Sequence, residues 1–211
     1  MWLELTLTLI ALAAALSMRP WRLMPHGERI GPLMASLVLL PWVWMLPGPS
    51  PIAAQMHWSG ACLVVLMLGW PVAVPVLIGV AALAWVIDPS LPMQRIVALA
   101  FWQGVLPATL ALALGALLRR AFGERMFIYL FGRAFLGTFI CVFATGLLQV
   151  ATGQAMPGVD TGLSLVAHWL MAWSDGIVTG MLAAVFVAFV PQWLATWSDA
   201  LYLQSSSRER S

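Results

Sequence analysis

The stretch "HWSGACLVVLMLGWPVAV", residues 57–74, decides how this chain is divided into helices. It lies in an apolar run, residues 52–87, which is longer than the roughly 20 residues that a helix needs to cross the hydrocarbon of a bilayer. Gly69-Trp70-Pro71 stands in the middle of that run. Pro71 has no amide hydrogen to donate and disfavours helix at the residue before it. The stretch therefore predicts two helices joined by a tight turn at Gly69 and Pro71.

The composition of the chain indicates a protein covered by lipid. Of its 211 residues, 62% are hydrophobic and 9% are charged, whereas a soluble domain has about 25% charged residues. So few charges cannot cover a water-exposed surface. We predict an all-α integral membrane protein with one transmembrane helical domain over residues 1–203 and a disordered polar tail over 204–211.

The apolar runs predict a bundle of seven transmembrane helices. They cover residues 2–18, 31–46, 52–69, 71–87, 96–118, 126–150 and 163–190. With seven spans, nearly all arginines fall in loops on one side, and cytoplasmic loops carry the excess of basic residues. We therefore expect the N-terminus outside, the C-terminus in the cytoplasm and a multi-pass location in a bacterial inner membrane. The basic residues form no stripe with interleaved aromatics, so no nucleic-acid partner is expected.

The sequence shows no signature of catalysis. It contains no HExxH, GxSxG or phosphate-cradling GxxxxGK motif, so we expect neither an enzyme nor an ATPase. Cys62 and Cys141 both lie inside apolar runs, where a free cysteine usually behaves as a small hydrophobe. We expect neither a disulfide nor a thiolate metal site from them.

Ionisable residues inside apolar runs are costly and are therefore candidates for function. Asp175 lies deep in the last run, and His168 lies seven residues earlier on the same helix face. Arg133 is the first candidate partner of Asp175. The alternatives are that Arg133 extends to the cytoplasmic interface and that Asp175 bonds Thr179 or backbone of a neighbouring helix. For His168, contact with lipid headgroups is favoured over a buried role.

Two further patterns concern metal binding and helix packing. His57 opens the third run near the expected outer face, and a neutral imidazole is a common ligand of transition metals. Gly176 and Gly180 have the GxxxG spacing that lets helices approach closely, and Ala11 and Ala15 have the same spacing.

These residues resemble a known family. The segment from His57 to the Gly69-Trp70-Pro71 break is similar to a motif of the cobalt and nickel substrate-capture subunits of energy-coupling-factor ABC transporters, the CbiM/NikM type. "SDGIVTGMLAAVFVAFVPQWL", with Asp175, Thr179 and Pro191, resembles a second motif of that family, in which a glutamate stands where this chain has Asp175. "RMFIYLFGRAFLGTF" and "PQWLATWSDALYL" look like a divergent branch of short members. The resemblance covers roughly residues 55–203.

The resemblance implies a membrane-embedded capture subunit for Ni, Co or Cu ions that works with separate permease and ATPase subunits. In the family, the terminal amine, a histidine at the second position and the histidine of the third-run motif bind the metal. Here these correspond to the amine of Met1, to Trp2, which cannot replace the histidine, and to His57. Met56 or Glu4 could assist. The alternative is a non-transporting structural or assembly subunit of a larger membrane complex that has kept the fold.

Overall fold

The computed structural model describes residues 2–23, 27, 29–45, 58–123, 125–154 and 160–198, and for Arg22 and Leu23 the backbone only. Within these ranges the chain forms seven helices and no strand. The helices are α1 (Trp2–Ser17), α2 (Ile30–Met45), α3 (Ala61–Leu68), α4 (Trp70–Ile87), α5 (Met93–Phe122), α6 (Ile128–Ala151) and α7 (Thr161–Phe189). Short 3₁₀ turns follow α1 and α7, at Pro20–Leu23 and Pro191–Trp193. The all-helical prediction is confirmed.

Four of the helices, α4 to α7, are long and apolar enough to cross a membrane. Helices α1 and α2 are apolar but shorter. Each of the four longer helices presents many large apolar side chains outward, which a lipid environment would cover.

The third predicted helix, residues 52–69, is corrected by the structure. Helix α3 has only 8 residues, and all of them are buried. Trp58, Ser59 and Gly60 precede it in a non-helical conformation, and residues 52–57 lie outside the described ranges. Helix α3 is therefore a half-length helix enclosed by its neighbours.

The break after α3 lies at Gly69, the one residue between α3 and α4. Its φ of 77° is a left-handed backbone conformation that glycine adopts without a steric cost. Pro71 lies in the first turn of α4, where its missing amide hydrogen is not needed. The chain therefore turns back sharply at this point.

Hydrogen bonds between distant segments define the two ends of the bundle. Glu4, at the start of α1, accepts bonds from Trp102 and Gln154, and Gln154 lies just beyond α6. The segment after α7, in contrast, bonds the last turn of α3. We call the end with Glu4 the first end and the end after α7 the second end. The start of α1 and the end of α7 therefore lie at opposite ends.

Two of the long helices contain π-helical stretches, in α5 at Leu99–Val105 and in α6 at Ile128–Leu136. Such wider turns are rare and occur frequently at functional sites. In this chain the first stretch contains Trp102, which bonds Glu4, and the second contains Arg133.

Helix α7 packs closely on α6 through the predicted glycines. A Cβ at Gly176 would lie 3.1 Å from the carbonyl oxygen of Phe135, and one at Gly180 would lie 3.1 Å from the Cβ of Phe135. On α1, Ala15 is fully buried and Ala11 packs at the edge of the core. Small residues thus occur where helices touch.

Candidate functional site

The central feature of the bundle is the point where α3 begins. Gly60 has a φ of 65°, a left-handed conformation, and the helix starts at the next residue. The first amides of a helix have no partner within the helix and carry a partial positive charge. In this chain, the N-terminal end of α3 lies among the other helices of the bundle.

Asp175 bonds the backbone of the two residues that immediately precede this helix end. Its Oδ2 accepts a hydrogen bond of 3.0 Å from the amide of Ser59, and its Oδ1 accepts one of 3.2 Å from the amide of Gly60. The side chain is 1% exposed. Asp175 is near the middle of α7, which has 29 residues, so α3 begins near the middle of a long helix.

The non-helical turn before α3 is also fixed by bonds to two other helices. The hydroxyl of Ser59 donates to the carbonyl oxygen of Gln103 at 2.6 Å, and the indole nitrogen of Trp44 donates to the carbonyl oxygen of Ser59 at 3.0 Å. Gln103 belongs to the π-helical stretch of α5. Helices α2, α5 and α7 therefore jointly hold this turn.

The opposite end of α3 is bonded by the segment that follows α7. The amide of Ala195 donates to the carbonyl oxygen of Met67 at 3.0 Å, and the amide of Thr196 donates to that of Leu66 at 3.3 Å. The hydroxyl of Thr196 also bonds the Leu66 carbonyl oxygen at 3.0 Å and the Tyr129 hydroxyl at 2.8 Å. Both ends of α3 are thus held by residues in or after α7.

The predicted pairing of Asp175 with Arg133 is wrong. Within the described part of the chain, the bonds of the Asp175 carboxylate go to backbone amides, which was the second alternative. The Arg133 guanidinium instead lies 5.9 Å from the centre of the Tyr129 ring and covers Gly115 on α5. The pairing could not be judged from sequence because it depends on how α6 and α7 are aligned and on which face Arg133 takes.

His168 is buried, which corrects the preference for headgroup contact. The side chain is 7% exposed, and its Nε2 has no hydrogen-bond partner among the described residues. The ring lies against Gly146 of α6, where its atoms come within 2.6 Å of the position that a Cβ would occupy. A glycine on the facing helix thus makes room for the imidazole, and Gly146 was not singled out from the sequence.

Further buried polar groups lie on α6 and α7. Thr138, Cys141 and Thr145 of α6 are buried, as are Ser164 and Thr179 of α7. The hydroxyls of Thr138 and Thr179 find no hydrogen-bond partner in the described ranges. Thr179 therefore does not bond Asp175. The spacing of these residues on each helix is the signal that could have identified them.

Glu4 is part of a buried cluster at the first end. It is 4% exposed, and its Oε1 accepts bonds of 2.7 Å from Trp102 Nε1 and from Gln154 Nε2. An acid in the first turn of a helix is also favoured by the helix dipole. From the sequence, Glu4 is expected only as an assisting ligand, and no local pattern indicates these partners.

The proposed metal ligands His57 and Met1, as well as Met56, lie outside the described residues. Among the residues that the structure describes, no group of three or more His, Cys, Asp or Glu side chains is arranged to hold a metal ion. The chain matches no protein-family model, no curated protein and no solved structure.

Proposed function

We propose that this chain is a membrane-embedded substrate-capture subunit of an energy-coupling-factor type transporter for transition-metal ions such as cobalt and nickel. The observation that carries the proposal is the half-length helix α3, which begins inside the bundle at Gly60 against the carboxylate of Asp175. Backbone that is not helical is tolerated at membrane depth only where protein encloses it or a polar cavity adjoins it. Transporters use such interrupted helices to build sites for ions and substrates.

The resemblance supplies the ligands in this proposal. His57 would bind the ion, assisted by the terminal amine of Met1, and it immediately precedes the turn Trp58–Gly60 in the chain. Without a histidine at position 2, fewer nitrogen ligands are available, so we expect weaker binding than in members with two histidines. Ligands must lose their protons to bind a metal, so affinity should fall below about pH 6.5 as the imidazole becomes protonated.

The remaining parts of the proposal concern partners and orientation. A capture subunit without a nucleotide-binding loop requires separate permease and ATPase subunits. We place the chain in a bacterial inner membrane with the first end outside and the second end in the cytoplasm, because the loops rich in arginine then face the cytoplasm. In this orientation the segment Leu194–Trp197 lies on the side where an ATPase would act.

A metal titration of the purified full chain tests this function. Wild-type protein should bind Ni²⁺ or Co²⁺ at one site, and His57→Ala should abolish or strongly weaken that binding. His26→Ala is the matched control, because it removes another histidine from outside the apolar runs and should leave the affinity unchanged. Equal binding by wild type and His57→Ala would remove His57 from the site.

A second candidate is a structural or assembly subunit that has kept the fold without the ligand. The bonds of Asp175 favour this candidate, because both of its carboxylate oxygens hold the backbone turn that precedes α3. A carboxylate engaged in this way stabilises the bundle whether or not an ion is bound. Absence of Ni²⁺ and Co²⁺ binding in wild type, together with a large loss of stability in Asp175→Ala, would favour this candidate.

A further inference from the structure

The guanidinium of Arg133 reaches from α6 onto α5 near the second end of the bundle. Its Nε lies 2.8 Å and its Cζ 3.0 Å from the position that a Cβ on Gly115 would occupy. The two helices also touch one turn away, where a methyl group of Leu118 would lie 3.9 Å from a Cβ on Gly132. The glycine at position 115 therefore leaves the space that the guanidinium fills.

The ring of Tyr129 lies beside the same guanidinium. Tyr129 is one turn before Arg133 on α6, and its ring centre is 5.9 Å from the Arg133 Cζ, within the range of a cation–π contact. The ring is 2% exposed, and its hydroxyl bonds Thr196 in the segment after α7. The guanidinium thus lies between a fixed aromatic ring and the backbone of Gly115.

The charge of Arg133 is not balanced within the described part of the chain. There the side chain has the ring contact but forms neither an ion pair nor a hydrogen bond. A guanidinium carries five N–H donors and a permanent positive charge. Charged groups within apolar spans are costly and almost always pair with a partner. Because Arg133 is only half-buried, an anion from outside the bundle can reach it.

The depth of this position corresponds to the boundary between lipid headgroups and hydrocarbon. Arg119 and Arg120, near the end of α5, follow Gly115 by four and five residues, which is about 6–8 Å along a helix. Both arginines are exposed, as expected for side chains at the membrane surface. Leu117 and Phe131, close to the site in sequence, are exposed apolar side chains that acyl chains would cover.

We propose that Arg133 binds the phosphate of an anionic phospholipid in the groove between α5 and α6. The planar guanidinium matches a phosphate with two parallel hydrogen bonds. A lipid with a net charge of −1 balances the guanidinium, whereas the ammonium of a zwitterionic lipid already offsets its own phosphate. Basic pockets between transmembrane helices on the cytoplasmic side are typical sites of anionic headgroups, which agrees with the orientation proposed above.

This inference is independent of the proposed function, because it uses neither His57 nor the terminal amine. The two proposals are tested with different ligands and different variants. Loss of nickel or cobalt binding in His57→Ala leaves the lipid site intact, and loss of lipid binding in Arg133 variants leaves the His57 site intact.

The test is a lipid titration of the full chain in neutral detergent, with bound lipids counted by native mass spectrometry. Wild type should bind one phosphatidylglycerol more tightly than phosphatidylcholine. Arg133→Gln should weaken phosphatidylglycerol binding about fivefold or more, since one arginine near the membrane surface contributes about 1 kcal/mol. Arg95→Gln is the matched control, because it removes an equal charge at the opposite end of α5 and should leave this binding unchanged.

A second variant tests the geometry without changing any charge. Gly115→Ala places a Cβ 2.8 Å from the Arg133 Nε, so the flexible side chain has to move away from this position. Phosphatidylglycerol binding should weaken, whereas Gly79→Ala, with an ordinary contact of 3.5 Å, should not affect it. Arg133→Lys keeps the charge but lacks the planar fork, so its affinity should lie between those of wild type and Arg133→Gln.

Thermal unfolding distinguishes a lipid from other anions. Phosphatidylglycerol should raise the Tm of wild type more than phosphatidylcholine does, and Arg133→Gln should remove this difference. An equal, Arg133-dependent rise with inorganic phosphate would indicate a site for free anions and overturn the lipid proposal. Equal phosphatidylglycerol affinity in wild type and Arg133→Gln would also overturn it.

Carboxylates outside the described residues are tested as competing partners. Glu124 and Asp199 are close in sequence to Arg125 and Trp197, at the second end. Glu124→Gln and Asp199→Asn should leave the preference for phosphatidylglycerol unchanged. If either variant lowers the Tm without lipid as much as Arg133→Gln does, and phosphatidylglycerol does not stabilise wild type, Arg133 pairs within the chain and the proposal is wrong.

Discussion

The carboxylate of Asp175 accepts a hydrogen bond of 3.0 Å from the backbone amide of Ser59, although 116 residues separate the two in sequence. Together with the bond from Gly60, this contact occupies both carboxylate oxygens and completes the start of a helix inside the bundle. An acid in the middle of α7 thus stabilises a backbone conformation that the local sequence would not maintain alone.

Replacing Asp175 should therefore destabilise the fold strongly. Asp175→Ala leaves two buried amides without partners, and a bond to a charged group contributes about 1.5–3 kcal/mol, so we expect a loss of about 3 kcal/mol or more. Asp175→Asn keeps one acceptor oxygen and should lose less. Thermal unfolding in detergent, followed by tryptophan fluorescence, measures both.

The matched control for this prediction is Asp160→Ala. Asp160 caps the N-terminus of α7 at an exposed position, where its carboxylate accepts a hydrogen bond of 3.0 Å from the amide of Gly162. The loss of such a cap costs about 1 kcal/mol of stability. Glu4→Ala would not serve as a control with a small expected effect, because Glu4 is itself buried and accepts hydrogen bonds from Trp102 and Gln154. A Tm for Asp175→Ala that is no lower than that of Asp160→Ala would mean that the bonds to α3 contribute little.

The interface between α6 and α7 gives a second prediction. Gly176→Ala brings a Cβ to 3.1 Å from a backbone oxygen that cannot move aside easily. We expect a loss of about 1–3 kcal/mol from overpacking. Gly79→Ala is the comparison, because its Cβ would meet Leu37 at an ordinary 3.5 Å and alanine favours helix over glycine by about 1 kcal/mol. Unfolding midpoints should therefore shift in opposite directions, and a stabilised Gly176→Ala would contradict the packing.

The buried cluster at the first end gives a third prediction. Glu4→Ala leaves the indole N–H of Trp102 without this acceptor, which costs about 1–3 kcal/mol. Glu4→Gln retains an acceptor and should lose less. A double-mutant cycle with Trp102→Phe should give an interaction energy of about 0.5–3 kcal/mol, as for residues in contact. An interaction energy near zero would show that the 2.7 Å bond does not contribute to stability.

The orientation in the membrane is tested by labelling. In a chain with both native cysteines changed to serine, Phe122→Cys should react only from the cytoplasmic side and Met156→Cys only from the outside. The reason is the excess of arginine in the loops at the second end. Reaction of both from the same side would refute the seven-span topology, and exchanged sides would refute the orientation alone.

The positions of the helices could be predicted from the sequence because each apolar run is bounded by proline, glycine or charged residues. The break at Gly69 could be predicted for the same reason, since proline and glycine determine the backbone conformation locally. The start of α3 could not be predicted. Residues 52–69 were predicted as one apolar run, but the helix begins at Ala61, because Gly60 takes a left-handed conformation and Asp175 supplies a distant partner for the turn before it.

Among the candidate site residues, too, local features could be predicted from the sequence and long-range contacts could not. The burial of Asp175 followed from its depth in an apolar run, whereas its partner depended on the alignment of helices far apart in sequence. Gly146 gave no local signal either, because its role depends on His168 of the facing helix α7. Contacts between non-adjacent helices are thus the information that single-sequence reasoning lacked.

The C-terminal end of α3 gives the last prediction. Thr196 bonds both Tyr129 and the carbonyl oxygen of Leu66, so Thr196→Val removes two hydroxyl bonds without changing the side-chain size. Each neutral bond contributes about 1 kcal/mol, and the last turn of α3 should open more often. We expect amide hydrogen exchange over residues 66–69 to become faster by about tenfold or more, which corresponds to about 1.4 kcal/mol. Tyr129→Phe removes one of these bonds and should have a smaller effect, whereas Thr152→Val, at an exposed position, should have none on this segment. Unchanged exchange in Thr196→Val would mean that the backbone bonds of Ala195 and Thr196 alone hold this end of the helix.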